Sequence, residues 1–298
     1  MTGNAHQSDN IVQHSKNTAI LLINCPDRKG IVSEVSNFLY SHNGNILHNV
    51  QHQEKTLELF LTRLEWDLNE FDLDLATFEE KFTPISDRFQ MEWKVSHSSN
   101  RKKVAVFVSR YDHCLADLLY RNHSGELDCE IAMIISNHPE PKKLADFYCV
   151  PFYYIPVDSP NKKQAEQRQL ELLEKYGVDL IVLARYMQIL SPEFVERYPN
   201  RIINVHHSFL PAFSGQKPYQ RAYERGVKII GATSHYVTEQ LDAGPIIEQD
   251  VVAVSHRDHL EDLVRKGRDL EKIVLSRAIR LHLEHRILVY ANKSVVFE

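Results

Sequence analysis

The sequence predicts an α/β chain in two parts: a ferredoxin-like βαββαβ unit, followed by a Rossmann-like domain with a mostly parallel sheet. Strand-like and helix-like runs follow the order β-α-β-β-α-β through residues 18–97. The stretch His97-Ser-Ser-Asn-Arg-Lys-Lys103 then breaks the apolar pattern with polar and charged residues, the composition of a linker. Beyond it, short apolar runs alternate with helical patterns, as in a parallel sheet covered on both faces. A length of 298 residues suggests about two domains. The expected division is a flexible tail at 1–17, a first domain at 18–97, a linker at 98–103 and a second domain at 104–298.

Thr18 to Cys25 (TAILLINC) is an apolar run suited to a strand, and Gly30 to Ser41 places Ile31, Val35, Phe38 and Leu39 on one helical stripe. Gly44 suits a left-handed helix end. Asn45 to Gln53 and Thr56 to Trp66 read as strands, Leu73 to Arg88 as a helix that Pro84 should kink or divide, and Gln90 to Val95 as a last strand. In the second part, strands are expected at Val104 to Val108, Glu130 to Ile135, Phe152 to Val157, Leu180 to Leu183, Ile202 to Val205 and Ile229 to Val237. Helices are expected at Leu115 to Arg121, Lys162 to Tyr176, Pro192 to Tyr198, Pro218 to Arg225 and His259 to His285, the last with a break at Gly267. In open sheets of this kind ligands bind beyond the carboxyl ends of the strands, where strand order switches.

Composition narrows the function. A content of 43% hydrophobic and 25% charged residues is that of a soluble globular protein, and a net charge of -5 gives no broad attraction for nucleic acid or an anionic membrane. No apolar run is long enough to span a bilayer, and the first 17 residues lack the apolar centre of a signal peptide, so a cytoplasmic location is expected. Cys25, Cys114, Cys129 and Cys149 are far apart and suit buried, reduced thiols. No metal is expected: His282 and His285 share a helix face that reads as solvated, and nothing completes a zinc or iron pattern around them.

The chemistry gathers at Asn204-Val-His206-His207 and, farther on, at Leu241-Asp242-Ala-Gly244-Pro245. Asn204 and His206 are two apart at a strand end, so both side chains share a face. Asp242, ahead of a Gly-Pro turn, can bring a carboxylate to the same place. An amide can hold an oxyanion, an imidazole can move a proton, and a carboxylate can orient the imidazole or an attacking water. Spacing alone is met equally well by a hydrogen-bonded structural corner. His207, next along the strand, is expected to face away from His206. His235 and His113 either line the same pocket or are structural.

The run NVHHSFLPAFSG with LDAGPII resembles the signature of the 10-formyltetrahydrofolate-dependent formyl transferases and hydrolases. That resemblance implies catalytic roles for Asn204, His206 and Asp242. It also implies a folate loop in Ala184 to Pro192, with Met187, Gln188, Ile189 and Leu190 against the pterin, and an opposite wall from Thr238, Glu239 and Leu241. No cofactor beyond the folate substrate is implied.

Within that family, glycinamide ribonucleotide transformylases carry a glycine-containing loop for the acceptor's phosphate, where this chain has Ser109-Arg-Tyr-Asp-His-Cys114. With no glycine for close backbone approach and Asp112 repelling phosphate, water is the simplest acceptor. The SRYDHC and GRDLEK stretches, and His207 where the transferases usually have proline, resemble the hydrolase branch. That branch turns 10-formyltetrahydrofolate into formate for purine synthesis, and into tetrahydrofolate, so balancing one-carbon pools. The alternatives are a formyl transferase with a non-phosphorylated acceptor and a catalytically decayed amino-acid sensor. The first domain, with Asp27-Arg-Lys-Gly30 at its first turn, resembles an ACT domain. This implies a homo-oligomer and an amino-acid effector such as glycine or methionine, held near Asp27, Gly30, Ile31 and Asn45; a purely oligomerising module is the other reading.

Overall fold

The computed structural model describes residues 17–212 and 218–298. The expected tail at 1–17 lies, but for its last residue, outside them. The chain divides into two compact units, one of residues up to Asn49 with Lys55–Asn100, the other of Val50–Glu54 with Arg101–Glu298.

The first sheet has strands β1 (Thr18–Pro26), β2 (Asn45–Glu54), β3 (Leu59–Asp67) and β4 (Glu92–His97) in the order β2-β3-β1-β4. Helices α1 (Ile31–Ser41) and α2 (Leu75–Phe89) complete the predicted βαββαβ order. Helix α1 buries Ile31, Val35, Phe38 and Leu39, the stripe its periodicity foretold. Its aromatic partners Trp66, Phe78 and Phe82 are 1% exposed or less, and Phe78 stacks on both of the others. Pro84 does not divide α2 as expected. Hydroxyls on either side satisfy local carbonyls instead, Thr83 donating to Glu79 and Ser86 to Thr83.

The second unit carries seven strands: β5 (Lys103–Val108), β6 (Glu130–Ser136), β7 (Phe152–Tyr154), β8 (Leu180–Ala184), β9 (Ile202–His206), β10 (Ile229–Tyr236) and β11 (Ile246–Ala253). Their order is β11-β10-β9-β8-β5-β6-β7. Pairing is parallel from β7 to β9, and antiparallel where β10 meets β9 and β11. Strand order reverses beside β5, whose neighbours are β6 and β8, so a crevice opens there at the carboxyl ends.

Side chains of alternate parity feed two cores. Val104, Val106, Val182 and Val205 pack under α3 (His113–His123) and α8 (Leu260–Leu283), against Leu115, Leu119, Leu275 and Ile279. Ala105, Phe107, Ile181 and Ile202 pack under α5 (Lys162–Tyr176) and α6 (Pro192–Glu196), against Leu173 and Phe194. The remaining elements are α4 (Lys142–Phe147), α7 (Pro218–Arg225) and the hairpin β12 (Ile287–Tyr290) with β13 (Lys293–Val296).

Gly267 does not break α8. A side chain there would place its Cβ 2.1 Å from the Tyr219 hydroxyl, so the glycine is the gap into which Tyr219 packs. Nor is His282 simply solvated, because its Nδ1 pairs with the buried Tyr236 hydroxyl at 2.7 Å.

Phe78→Ala should lower the unfolding free energy by about 3–5 kcal/mol, the usual cost of emptying a fully buried phenylalanine site. Urea denaturation followed by tryptophan fluorescence reads it, since Trp66 and Trp93 both touch that ring.

Candidate active site

A cavity of about 680 Å³ opens at the carboxyl ends of β8 and β9 and holds most of the residues the sequence singled out. Asn204 and His206 leave β9 on the same face as Ile202, as their spacing requires. Strand β10 sets His235 opposite Asn204 and Thr233 opposite His206. The chain leaving β10 bonds to the start of β9, Val237 N–H donating to the Ile202 carbonyl at 2.9 Å. It then turns back to bring Asp242 to His206. Asp242 adopts a left-handed backbone (φ 54), and at Gly244 a Cβ would lie 1.8 Å from the Tyr236 carbonyl, so only glycine passes.

Hydrogen bonds fix the state of each ring. His206 Nδ1 lies 3.2 Å from Asp242 Oδ2; a carboxylate only accepts, so that nitrogen carries a proton. Its Nε2 is buried with no hydrogen-bond partner and is the atom left for a ligand. The His206 hydrogen bond holds the Asp242 carboxyl below the ordinary range despite partial burial. His235 Nδ1 lies 2.9 Å from the Tyr236 carbonyl and must donate to it, leaving Nε2 bare. Asn204 Nδ2, 3.3 Å away, therefore donates to that Nε2 and keeps its second N–H. Burial holds His235 neutral by lowering its pKa.

His207 departs from expectation. The strand ends at His206, so the alternation does not carry on, and the two rings stack with centroids 5.1 Å apart at 22°. Arg185, also left-handed (φ 62), donates from Nη1 to His207 Nδ1. Burial, with the Arg185 charge, pushes the His207 pKa down to about 3, so this ring is neutral beside His206.

Behind it lies Glu271, 1% exposed. His113 Nε2 donates to Glu271 Oε2 at 2.7 Å, Tyr219 donates to Oε1 at 2.7 Å, and Arg185 Nε stands 3.5 Å from Oε2. Burial alone would raise this carboxyl, but the His113 bond, the Arg185 charge and the Tyr219 hydroxyl together hold it below its ordinary value. Among the described residues His113, Cys114 and Glu271 are the one group close enough to share a metal. The donor set argues against one: both Glu271 oxygens are engaged, a guanidinium stands beside them, and burial pushes the Cys114 thiol well up.

The apolar walls are where the resemblance implies. Met187 (57% exposed), Ile189 (59%) and Leu241 (60%) line the cavity with Gln188, Leu190, Thr238 and Glu239. The loop is held from behind, Ser109 Oγ accepting from Met187 N–H at 2.9 Å and Glu166 accepting from Ser191 N–H at 3.0 Å. Arg185, Tyr219 and Glu271 are not among the site residues the sequence singles out, although Glu271 lies in the GRDLEK stretch that resembles the hydrolase branch. In the first unit, Asp27, Gly30 and Ile31 sit at the start of α1 and Asn45 beyond its other end. An 11-residue helix separates them by about 16 Å, so one small ligand does not touch both within a chain.

A formyl transferase family model matches residues 102–279 and an ACT domain model residues 19–82. Formyltetrahydrofolate deformylase of Synechocystis sp. is 54% identical over 94% of this chain and 98% of its own length; that of Bacillus subtilis is 50% identical over 93% of each. The crystal structure of a formyltetrahydrofolate deformylase from Pseudomonas syringae matches with TM-score 0.94 at 51% identity, covering 97% of both chains. Glycinamide ribonucleotide transformylase 1 from Symbiobacterium toebii matches with TM-score 0.64 at 31% identity, covering 68% of this chain and 97% of that one.

His207 leaves a measurable trace in stability. With a folded pKa near 3 against an ordinary 6.5, the unfolded chain binds the extra proton between these values, so stability falls as pH drops below 6.5 and recovers as it rises. His207→Gln should flatten the dependence of unfolding free energy on pH between 6.5 and 5 by up to about 1.4 kcal/mol per pH unit. An unchanged slope would mean that His207 is charged in the folded state.

Proposed function

This chain belongs to the formyl transferase family as one of its formyltetrahydrofolate deformylases, with an ACT domain ahead of the formyl transferase domain, and we propose that Asn204, His206 and Asp242 carry its hydrolysis of 10-formyltetrahydrofolate. The observation that carries this assignment is the unpartnered Nε2 of His206, buried in the cavity beside a free Asn204 N–H and oriented from behind by Asp242.

The formyl group on N10 is amide-like, so attack must be assisted. The oxygen of water bonds to the formyl carbon, and one of its protons passes to the His206–Asp242 pair. The formyl oxygen gains negative charge, and the second N–H of Asn204 stabilises it. The C–N10 bond then breaks with its electron pair on nitrogen, which takes the proton back from the pair. Tetrahydrofolate and formic acid leave, and the acid ionises to formate. Asp242 keeps the proton on Nδ1 of His206, so Nε2 is the atom that exchanges it. The exposed Met187, Ile189 and Leu241 side chains suit the face of a flat heterocycle, and the Gln188, Ile189 and Leu190 N–H groups, without intramolecular partners among the described residues, suit its polar edge. No cofactor enters this scheme.

The ACT domain takes an amino-acid effector in this reading, glycine or methionine being candidates by their link to one-carbon supply. Since Asp27 to Ile31 and Asn45 lie at opposite ends of α1, they share one small ligand only across two copies, which ties effector binding to a homo-oligomer. The absence of any membrane-crossing helix among the described residues accords with a cytoplasmic enzyme.

Purified protein given 10-formyltetrahydrofolate alone should release formate and tetrahydrofolate in equal amounts; a requirement for an added amine would overturn the assignment. Asn204→Ala should lower kcat by about a hundredfold to a thousandfold. Asp242→Asn, which keeps the shape and loses the charge, should cost more. Near-native kcat in either folded variant removes that residue from the scheme. Isothermal calorimetry should show glycine or methionine binding to the assembled enzyme; no heat with either, and activity indifferent to both, leaves the ACT domain an assembly module.

A further inference from the structure

His207 takes no part in the scheme above, yet it lines the same cavity as Asn204, His206 and Asp242. Strand β9 ends at His206, and the turn that follows is pinned from the neighbouring strands. Thr233, fully buried on β10, donates to the Ser208 carbonyl at 2.9 Å and accepts from the Leu210 N–H at 3.0 Å. Gln249 on β11 donates to the same hydroxyl at 2.9 Å and to the Leu210 carbonyl at 3.1 Å. The turn so held lays the His207 ring between two others, stacked on His206 at 5.1 Å and tilted against Tyr219 at 5.8 Å.

The placement of its proton follows from its neighbours. Arg185 donates to Nδ1, and a guanidinium accepts nothing in return, so Nδ1 is the bare nitrogen of this ring. Burial and the Arg185 charge keep the ring neutral, its pKa pushed down to about 3, and its single proton therefore sits on Nε2. Among the described residues that N–H meets no hydrogen-bond partner, and the ring is only partly buried. Beside it, His206 has the converse arrangement, with a proton on Nδ1 facing Asp242 and a bare Nε2. The two adjacent rings thus offer one free donor and one free acceptor. Such a pair suits a neutral molecule that carries both hydrogens and lone pairs. A water making bonds of about 2.9 Å to each of two nitrogens bridges up to about 5.8 Å, so one molecule can span rings stacked at this separation.

We propose that His207 is a further catalytic residue: its Nε2–H holds the oxygen of the attacking water while the bare Nε2 of His206 faces one of that water's hydrogens. The inference rests on the hydrolase reading above. The water oxygen bonds to the formyl carbon through its remaining lone pair, and the proton facing His206 passes to Nε2. The C–N10 bond then breaks with its electron pair on nitrogen, and N10 takes that proton. His207 keeps its own proton throughout, because Arg185 occupies the nitrogen that would otherwise take a second one. It orients the nucleophile without gaining or losing charge.

Three variants separate the donor from the ring that carries it. His207→Gln puts an amide N–H near the place of Nε2, His207→Asn reaches only as far as Nδ1, and His207→Phe keeps a flat ring with neither nitrogen. With 10-formyltetrahydrofolate as the only addition, kcat for formate release should fall about tenfold or more in the Asn and Phe variants, while KM stays within about twofold of wild type. His207→Gln should stay within about threefold of wild type in kcat. Circular dichroism melts establish that each variant is folded. Near-native kcat in His207→Phe or His207→Asn, or a loss in His207→Gln as large as theirs, overturns the proposal. A crystal structure of the wild type with tetrahydrofolate bound gives a check free of substitution: one water should lie within about 3.2 Å of both Nε2 atoms. Two nitrogens facing apart with no shared water would overturn the proposal equally. Wild-type protein that releases no formate refutes the hydrolase reading itself, whereas formate release with unaffected variants refutes only the water seat.

Discussion

The contact between Asp242 and His206 is the interaction on which the site turns. One carboxylate oxygen 3.2 Å from Nδ1 decides which imidazole nitrogen carries a proton and which faces the cavity. A second carboxylate does the converse next door: Glu271 holds Arg185, and Arg185 makes Nδ1 of His207 an acceptor. Two adjacent, stacked histidines thus carry opposite tautomers. Neighbouring rings of one residue type would otherwise compete for the same proton. Burial and Arg185 settle the matter by keeping His207 neutral. Removing one partner of the buried Glu271–Arg185 pair costs about 3–5 kcal/mol, so that carboxylate supports the fold.

The sheet supplies the placement. Parallel strands bring β8 and β9 to a common end, where a loop and a strand terminus can face one ligand. The reversal at β10 then adds His235 opposite Asn204, and the chain leaving β10 folds back with Asp242. The site needs unusual backbone: Asp242, in the chain leaving β10, and Arg185, directly after β8, are left-handed, and Gly244 passes where a Cβ would overlap a carbonyl. Left-handed non-glycine residues cost roughly 1–3 kcal/mol each, and Asp242 and Arg185 are two of the ten among the described residues.

Much of this was legible in the sequence, and the reasons differ by element. The α1 stripe and the buried runs of β5, β8 and β9 are local patterns, so periodicity reveals them. That Asn204, His206 and Asp242 come together was legible from the surrounding motif, because spacing alone left a structural corner equally open. Strand β11 was not, since its partly exposed edge carries no clean alternation, and the β12–β13 hairpin turns on Ala291-Asn292 rather than a glycine pair. Pro84 and Gly267 misled because their local cost is met by distant or side-chain partners. Arg185, Tyr219 and Glu271 are brought together only by tertiary folding from the residue after β8, from α7 and from α8, which no short window spans.

The pairing of β9 has a consequence for how this segment tolerates change. Asn204 and His206 share parity with Ile202, while Ile203 and Val205 feed the opposite core. A single inserted or deleted residue within Ile202–His206 would exchange the two sets, driving an amide and an imidazole into hydrocarbon and turning isoleucine and valine toward the ligand. Substitution can be graded there, but length cannot, so indels should be purged from these five positions even in lineages whose amino acids drift freely.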